Sequence, residues 1–94
     1  MNIEDFAIGL EFRSDDRTFR CTDIGSRTVV AIRVDAVNEV TTDTVSGLRS
    51  EQTLSRADAE AEGWFNGPPY AVAEIVFDEY DLEGCEPLPA ADGL

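Results

Sequence analysis

Thr28-Val29-Val30-Ala31-Ile32-Arg33-Val34-Asp35 decides the fold, because its branched side chains suit a pleated surface better than a helix. Alternation along it places Val30, Ile32 and Val34 on one face, toward a core. Just upstream, Thr18 to Asp23 alternates in the same way, with Phe19 and Cys21 on one side and Thr18, Arg20 and Thr22 on the other. Earlier still, Phe6, Ile8, Leu10 and Phe12 alternate with Ala7, Gly9, Glu11 and Arg13, which predicts a strand over 6–13. Ser14-Asp15-Asp16-Arg17 and Ile24-Gly25-Ser26-Arg27 read as the reversals between strands. Three strands joined by two short turns make an antiparallel meander.

Downstream of this segment the pattern thins. Val37, Val40 and Val45 are scattered among Asn, Thr, Asp, Ser and Gly, so a short strand near Glu39–Thr42 and a mobile loop around Gly47 are expected. One helix is clear, over 55–62. Ser55 stands at its N-cap with Asp58 three residues on, and Leu54 before the cap is set to staple onto Ala59. Asp58 and Glu60 suit the positive end of the helix dipole, and Gly63 suits its end. Packing is expected through Ala57, Ala61 and Trp64. Trp64-Phe65-Asn66-Gly67-Pro68-Pro69-Tyr70 is a rigid aromatic connector, in which Trp64 and Phe65 are expected to cap the sheet. A final strand is expected over 71–77, with Ala71, Ala73, Ile75 and Phe77 inward and Val72, Glu74 and Val76 outward. The sum is a single, mainly β (α+β) domain over residues 1–94, with a loose tail at 87–94. Four or five antiparallel strands form a small sheet or SH3-like barrel beside one short helix.

Charge sets the function classes. Twenty Asp and Glu face seven basic residues for a net charge of −13, every base is Arg, and there is no His. Residues 57–94 carry ten of the acids and no base at all. Such a field repels phosphates and anionic lipid, which argues against direct nucleic-acid or membrane binding, and it attracts basic protein surfaces. An acidic N-terminus and the lack of a long apolar run point to a cytoplasmic protein. In that compartment Cys21 and Cys85 are expected to be two buried thiols.

Catalytic equipment is sparse. Without His there is no imidazole to activate either cysteine, and without Lys there is no Schiff-base amine or P-loop lysine. Two distant cysteines do not make a zinc site, and the acidic run from Asp78 to Glu86 does not match the EF-hand order. The expectation is a protein that is not an enzyme and needs no cofactor or metal. What remains is a set of carboxylates on rigid elements: Asp58, Glu60 and Glu62 on the helix; Glu74 on the last strand; Asp78, Glu79, Asp81 and Glu83 after it, with Tyr80 as an anchor. Arranged on one surface, they imitate the phosphates of a duplex for a basic partner. The alternative site is the aromatic loop, where Trp64 and Tyr70 would anchor a structural or accessory interaction module.

The stretches Asp16–Gly25 and Trp64–Tyr70 resemble segments of small bacterial and mobile-element proteins, a resemblance that brings no activity with it. In size, acidity and lack of catalytic equipment the whole chain is similar to the anti-CRISPR inhibitors and other DNA-mimic proteins carried by phages. That resemblance implies an inhibitor covering a basic nucleic-acid-binding surface, such as that of a CRISPR effector.

Overall fold

The computed structural model describes residues 1–88; the tail expected at 87–94 lies largely outside them. Seven strands follow in order: β1 (Glu11–Ser14), β2 (Arg17–Ile24), β3 (Val29–Arg33), β4 (Ala36–Thr42), β5 (Arg49–Ser55), β6 (Glu74–Phe77) and β7 (Cys85–Pro87). Helix α1 (Arg56–Ala61) lies between β5 and β6, and α2 (Glu79–Glu83) between β6 and β7. A 3-10 turn, Ile3–Asp5, precedes them. The protein is mainly β, with antiparallel pairing throughout. Five strands form one sheet in the order β6-β3-β2-β1-β7, and β4 and β5 pair only with each other. β6 and β7 remain two separate edges, so of the two expected forms the open sheet, not the barrel, is found.

β3 sits at the centre and feeds a core on each of its faces. Val29 and Ala31 point to one side, where Phe6, Phe12, Phe19, Cys21, Phe77, Leu82 and Cys85 are buried. Four of these rings pack edge-on or stacked, with centroids 5.0 to 5.8 Å apart. Ile32 and Val34 point to the other side and meet Val37, Leu54, Ala59 and Phe65. The expected core trio is therefore two-thirds right. Val30 is only half-buried, because α1 and the base of the ribbon cover just one end of that face, and Val29 takes its place in the opposite core.

β1 is half the length expected. Phe6 is buried, but Ile8 is 70% exposed, because Ala7 to Leu10 forms a turn closed by the Leu10 N–H donating to the Ala7 carbonyl at 2.9 Å. Gly9 makes that turn with φ of 92°, a conformation other residues adopt at a cost. The β1–β2 turn falls where the sequence places it. Asp15 and Asp16 both have positive φ, 52° and 60°, the geometry of a two-residue type I′ hairpin.

The short strand and loop expected over 36–53 are instead a hairpin of two seven-residue strands. Only Val37 and Leu54, at its base, are buried; every residue from 40 to 53 is exposed. The ribbon stretches the molecule. The described residues span 49 × 34 × 23 Å with a radius of gyration of 15.3 Å, against about 12 Å for a compact chain of this length.

α1 begins as expected. The Ser55 side chain accepts from the Asp58 N–H at 3.2 Å, Leu54 and Ala59 are buried together, and Gly63 follows the last turn with φ of 82°. Its packing residue is Ala59; Ala57 and Ala61 face solvent. The second helix was not expected. Asp78 and Asp81 accept from each other's backbone N–H at 2.9 and 3.1 Å, a reciprocal capping box, and Phe77 and Leu82 are buried on either side of it. β6 covers 74–77 rather than 71–77. Ala71 and Ala73 are exposed while Val72 packs on the second core, the reverse of the expected alternation.

Candidate functional surface

α1 belongs to the core containing Ile32 and α2 to the core containing Val29, so the two helices lie over opposite faces of the sheet. The acids named from the sequence are thereby divided. Asp58, Glu60 and Glu62 stand over one face, and Asp78, Glu79, Asp81 and Glu83 over the other. Glu74 pairs with Ile32 in the register and so shares α1's face. A single acidic face joining the helix to the later segment is not formed; the carboxylates wrap around the sheet.

All nine residues, Tyr80 included, are exposed, and Tyr80 is exposed at 83%. Their engagements differ. Glu79 pairs with Arg27 at 2.7 Å, tying α2 to the β2–β3 turn. Glu60 meets Arg56 at 3.1 Å and Arg20 at 3.6 Å. Glu74 reaches over β3 to accept from the Thr22 hydroxyl at 3.0 Å. Asp78 and Asp81 are held by their capping box. Among the described residues nothing hydrogen-bonds the carboxylates of Asp58, Glu62 or Glu83.

A charged network fastens α1 to the sheet. Arg56 donates twice to Glu11, at 2.8 and 2.7 Å, in a fork that a single donor cannot reproduce. Arg20 adds two bonds to the same carboxylate, at 3.3 and 3.1 Å, and lies 6.0 Å from the Phe65 ring centroid. The hydrogen bonds from Arg56 hold the Glu11 carboxyl below its ordinary value, against the opposing effect of partial burial. The same contacts raise Arg56, led by the bonds to Glu11. Nothing local in the sequence marks this network, since Glu11 and Arg56 at its centre lie 45 residues apart.

The pairing of charge is lopsided. Among the described residues six arginines, all but Arg17, form ion pairs, and they engage Glu11, Asp16, Asp35, Glu51, Glu60 and Glu79. Thirteen of the nineteen described carboxylates therefore face no arginine within ion-pair distance.

The aromatic loop is mostly structural. Phe65 is buried, and Trp64 and Tyr70 are half-buried against the second core. The Tyr70 ring lies so close over Gly67 that a β-carbon there would stand 2.6 Å from it. Large exposed apolar side chains are found elsewhere: Val45 at 95% and Leu48 at 72% on the ribbon tip, and Val76 at 60% on β6.

Cys21 and Cys85 are both free and buried, and burial pushes both thiols up. Among the described residues no group of three or more metal-ligating side chains converges. No helix among them is long and apolar enough to cross a membrane. Comparison with protein-family models, with curated proteins and with solved structures returns no match.

Proposed function

We propose that the protein is a binding module that covers a basic, nucleic-acid-binding surface of a protein partner and so inhibits it, a CRISPR effector being one partner of that kind. The observation that carries this reading is the surplus of unpaired carboxylate. Among the described residues thirteen exposed or half-exposed acids face no arginine, while six of the seven arginines are already taken up. A basic groove meeting this surface gains the electrostatic term that DNA would otherwise supply. Because the acids stand on both faces, the fit is to a channel or cleft that flanks the sheet edge rather than to a flat patch.

The test is competition. CRISPR effectors loaded with guide RNA are mixed with labelled target duplex and increasing amounts of the protein, at low and at high salt. Displacement of duplex at low salt is expected, weakened by roughly tenfold or more in the triple variant Asp58→Arg, Glu62→Arg, Glu83→Arg. These three positions are chosen because, among the described residues, no hydrogen bond or ion pair holds their carboxylates. Displacement that is indifferent to both salt and the triple variant would sink the charge-covering role.

One observation favours a second reading, an accessory module that docks by apolar contact. Val45 and Leu48 project from the ribbon with nothing packed on them among the described residues. Binding of that kind persists at high salt and is lost on substitution at the tip rather than on Tyr70→Ala.

A further inference from the structure

We propose that the free edge of β6 is a strand-addition site that takes an extended, basic segment of a partner protein. The basic character of that segment rests on the charge-covering role proposed above; the free edge does not. β6 ends the five-stranded sheet, and no strand pairs with its outer side among the described residues. Its outward-facing amides and carbonyls are a template for another strand, as any unprotected edge is.

Two comparisons single out this edge. β7, at the other end of the sheet, is three residues long and ends on Pro87, which has no N–H to offer. The ribbon edges run beside a cleft of about 200 Å³ lined by polar residues such as Glu39, Ser50 and Gln52. A cleft of about 710 Å³ also lies beside β7, among Leu10, Cys85 and Pro87, so strand length and the proline, not cleft size, set β7 aside. β6 has two exposed apolar side chains and two clefts at hand. One cleft, about 410 Å³, lies among Phe19, Phe77 and Tyr80; the other, about 290 Å³, among Trp64 and Val72; they meet at Ile75. Ile75 is 41% exposed and Val76 60%, and as neighbours on a strand they point to opposite sides. An added strand sends alternate side chains to the same two sides, and the larger cleft, lined by both Ile75 and Val76, lies beside it next to Phe77.

Charge chooses the occupant. Asp15 and Asp81 line the larger cleft with Arg17, and Glu74 and Asp78 bound the strand at its two ends. Arg33 lines the smaller cleft but is paired with Asp35 at 2.6 Å. The edge is thus net acidic, and a second copy of this chain, with net charge −13, is the wrong partner for it. A segment alternating arginine with a branched apolar residue suits the exposed Ile75 and Val76 and the carboxylates around them.

The test uses three probes: a peptide of roughly eight residues alternating Arg and Val, the same peptide N-methylated at alternate residues in each of the two phases, and polylysine. The unmodified peptide is expected to bind at low salt and to slow amide exchange at Ile75 and Val76. N-methylation in the phase that faces β6 is expected to cut affinity by about tenfold or more, while the other phase is tolerated, because charge is equal and only strand hydrogen bonds differ. Equal binding by both methylated forms, or binding of the unmodified peptide without any change in exchange at Ile75 and Val76, overturns strand addition and leaves the charge-covering role, which polylysine also reads, standing. Failure of polylysine and of every peptide to bind at low salt overturns both.

Discussion

The five-stranded body and the β4–β5 ribbon are both antiparallel sheet, yet almost nothing that stabilises one is present in the other. Body strands bury aromatic rings on one face and carry the second core, with its Glu11–Arg56 network, on the other. Ribbon strands are seven residues each, longer than any body strand but β2, and bury only Val37 and Leu54 at the root. A lone two-stranded hairpin is marginal in water. Here it survives because one end is anchored to the second core and continues directly into the cap of α1 at Ser55. Strand length and hydrogen bonding therefore do not measure stability in this molecule; burial does. The body is expected to open only with global unfolding, while the outer ribbon exchanges its amides through local opening.

The sharpest way to break that contrast is to empty the body's aromatic core. Phe12 is fully buried and touches Phe6, Phe19 and Phe77 at centroid distances of 5.0 to 5.8 Å. Phe12→Ala removes all three contacts and leaves a cavity, so a loss of about 3–5 kcal/mol is expected in urea unfolding. In a domain of ordinary stability, about 5–15 kcal/mol, that is a large share of the total. A loss under about 1 kcal/mol would mean that the rings are not packed as a unit, and the body would then resemble the ribbon.

A smaller effect separates charge from packing. Arg56→Ala takes the two-pronged donor from Glu11, whose side chain is only 22% exposed, and a cost of about 1–3 kcal/mol is expected. The pH dependence gives the sign. Glu11 is held below its ordinary value of 4.5 in the folded protein, so its pairing contributes stability above 4.5 and loses it as pH falls through the folded value. The gap between wild type and Arg56→Ala is thus expected to be full at about pH 7 and to narrow below 4.5. A gap of equal size at about pH 7 and about pH 3 would assign the cost to the arginine's buried stem instead.

The body was also the legible part. β2, β3 and the type I′ turn lie where alternation and turn residues place them, because one or both faces of those strands are buried and the pattern records it. α1 was legible from its local chemistry, Leu54-Ser55 and Asp58-Ala59, without reference to the rest of the chain. The same signature recurs at Phe77-Asp78 and Asp81-Leu82, and it marks α2 just as clearly. In the sequence the acids there read as surface charge, whereas two of them are a cap. The ribbon left no period-two signal, since neither of its faces is buried beyond Val37 and Leu54. The division of acids between two faces was out of reach as well: which face a helix covers depends on strand register, and the bulge between Cys21 and Asp23 shifts that register.

The smallest expected effect is the one that bears most on what the ribbon is for. Val45 and Leu48 are the most exposed apolar side chains of the tip, at 95% and 72%. The turn between them is held by polar contacts instead: Asp43 accepts from the Val45 and Ser46 N–H groups at 2.8 and 3.3 Å, which also lowers its carboxyl, and Gly47 supplies a positive φ of 74°. Replacing both apolar residues by Ser removes nothing from either core, so stability is expected to stay within about 0.5 kcal/mol of wild type. A loss above about 1 kcal/mol in the double variant, growing with protein concentration, would show the tip packed against a second copy in solution. The ribbon would then be one half of a shared core, and its resemblance to the body would be restored through a partner. Unchanged stability together with loss of a salt-resistant partner would instead assign the tip to docking, because side chains that do nothing for the fold are free to be used at an interface.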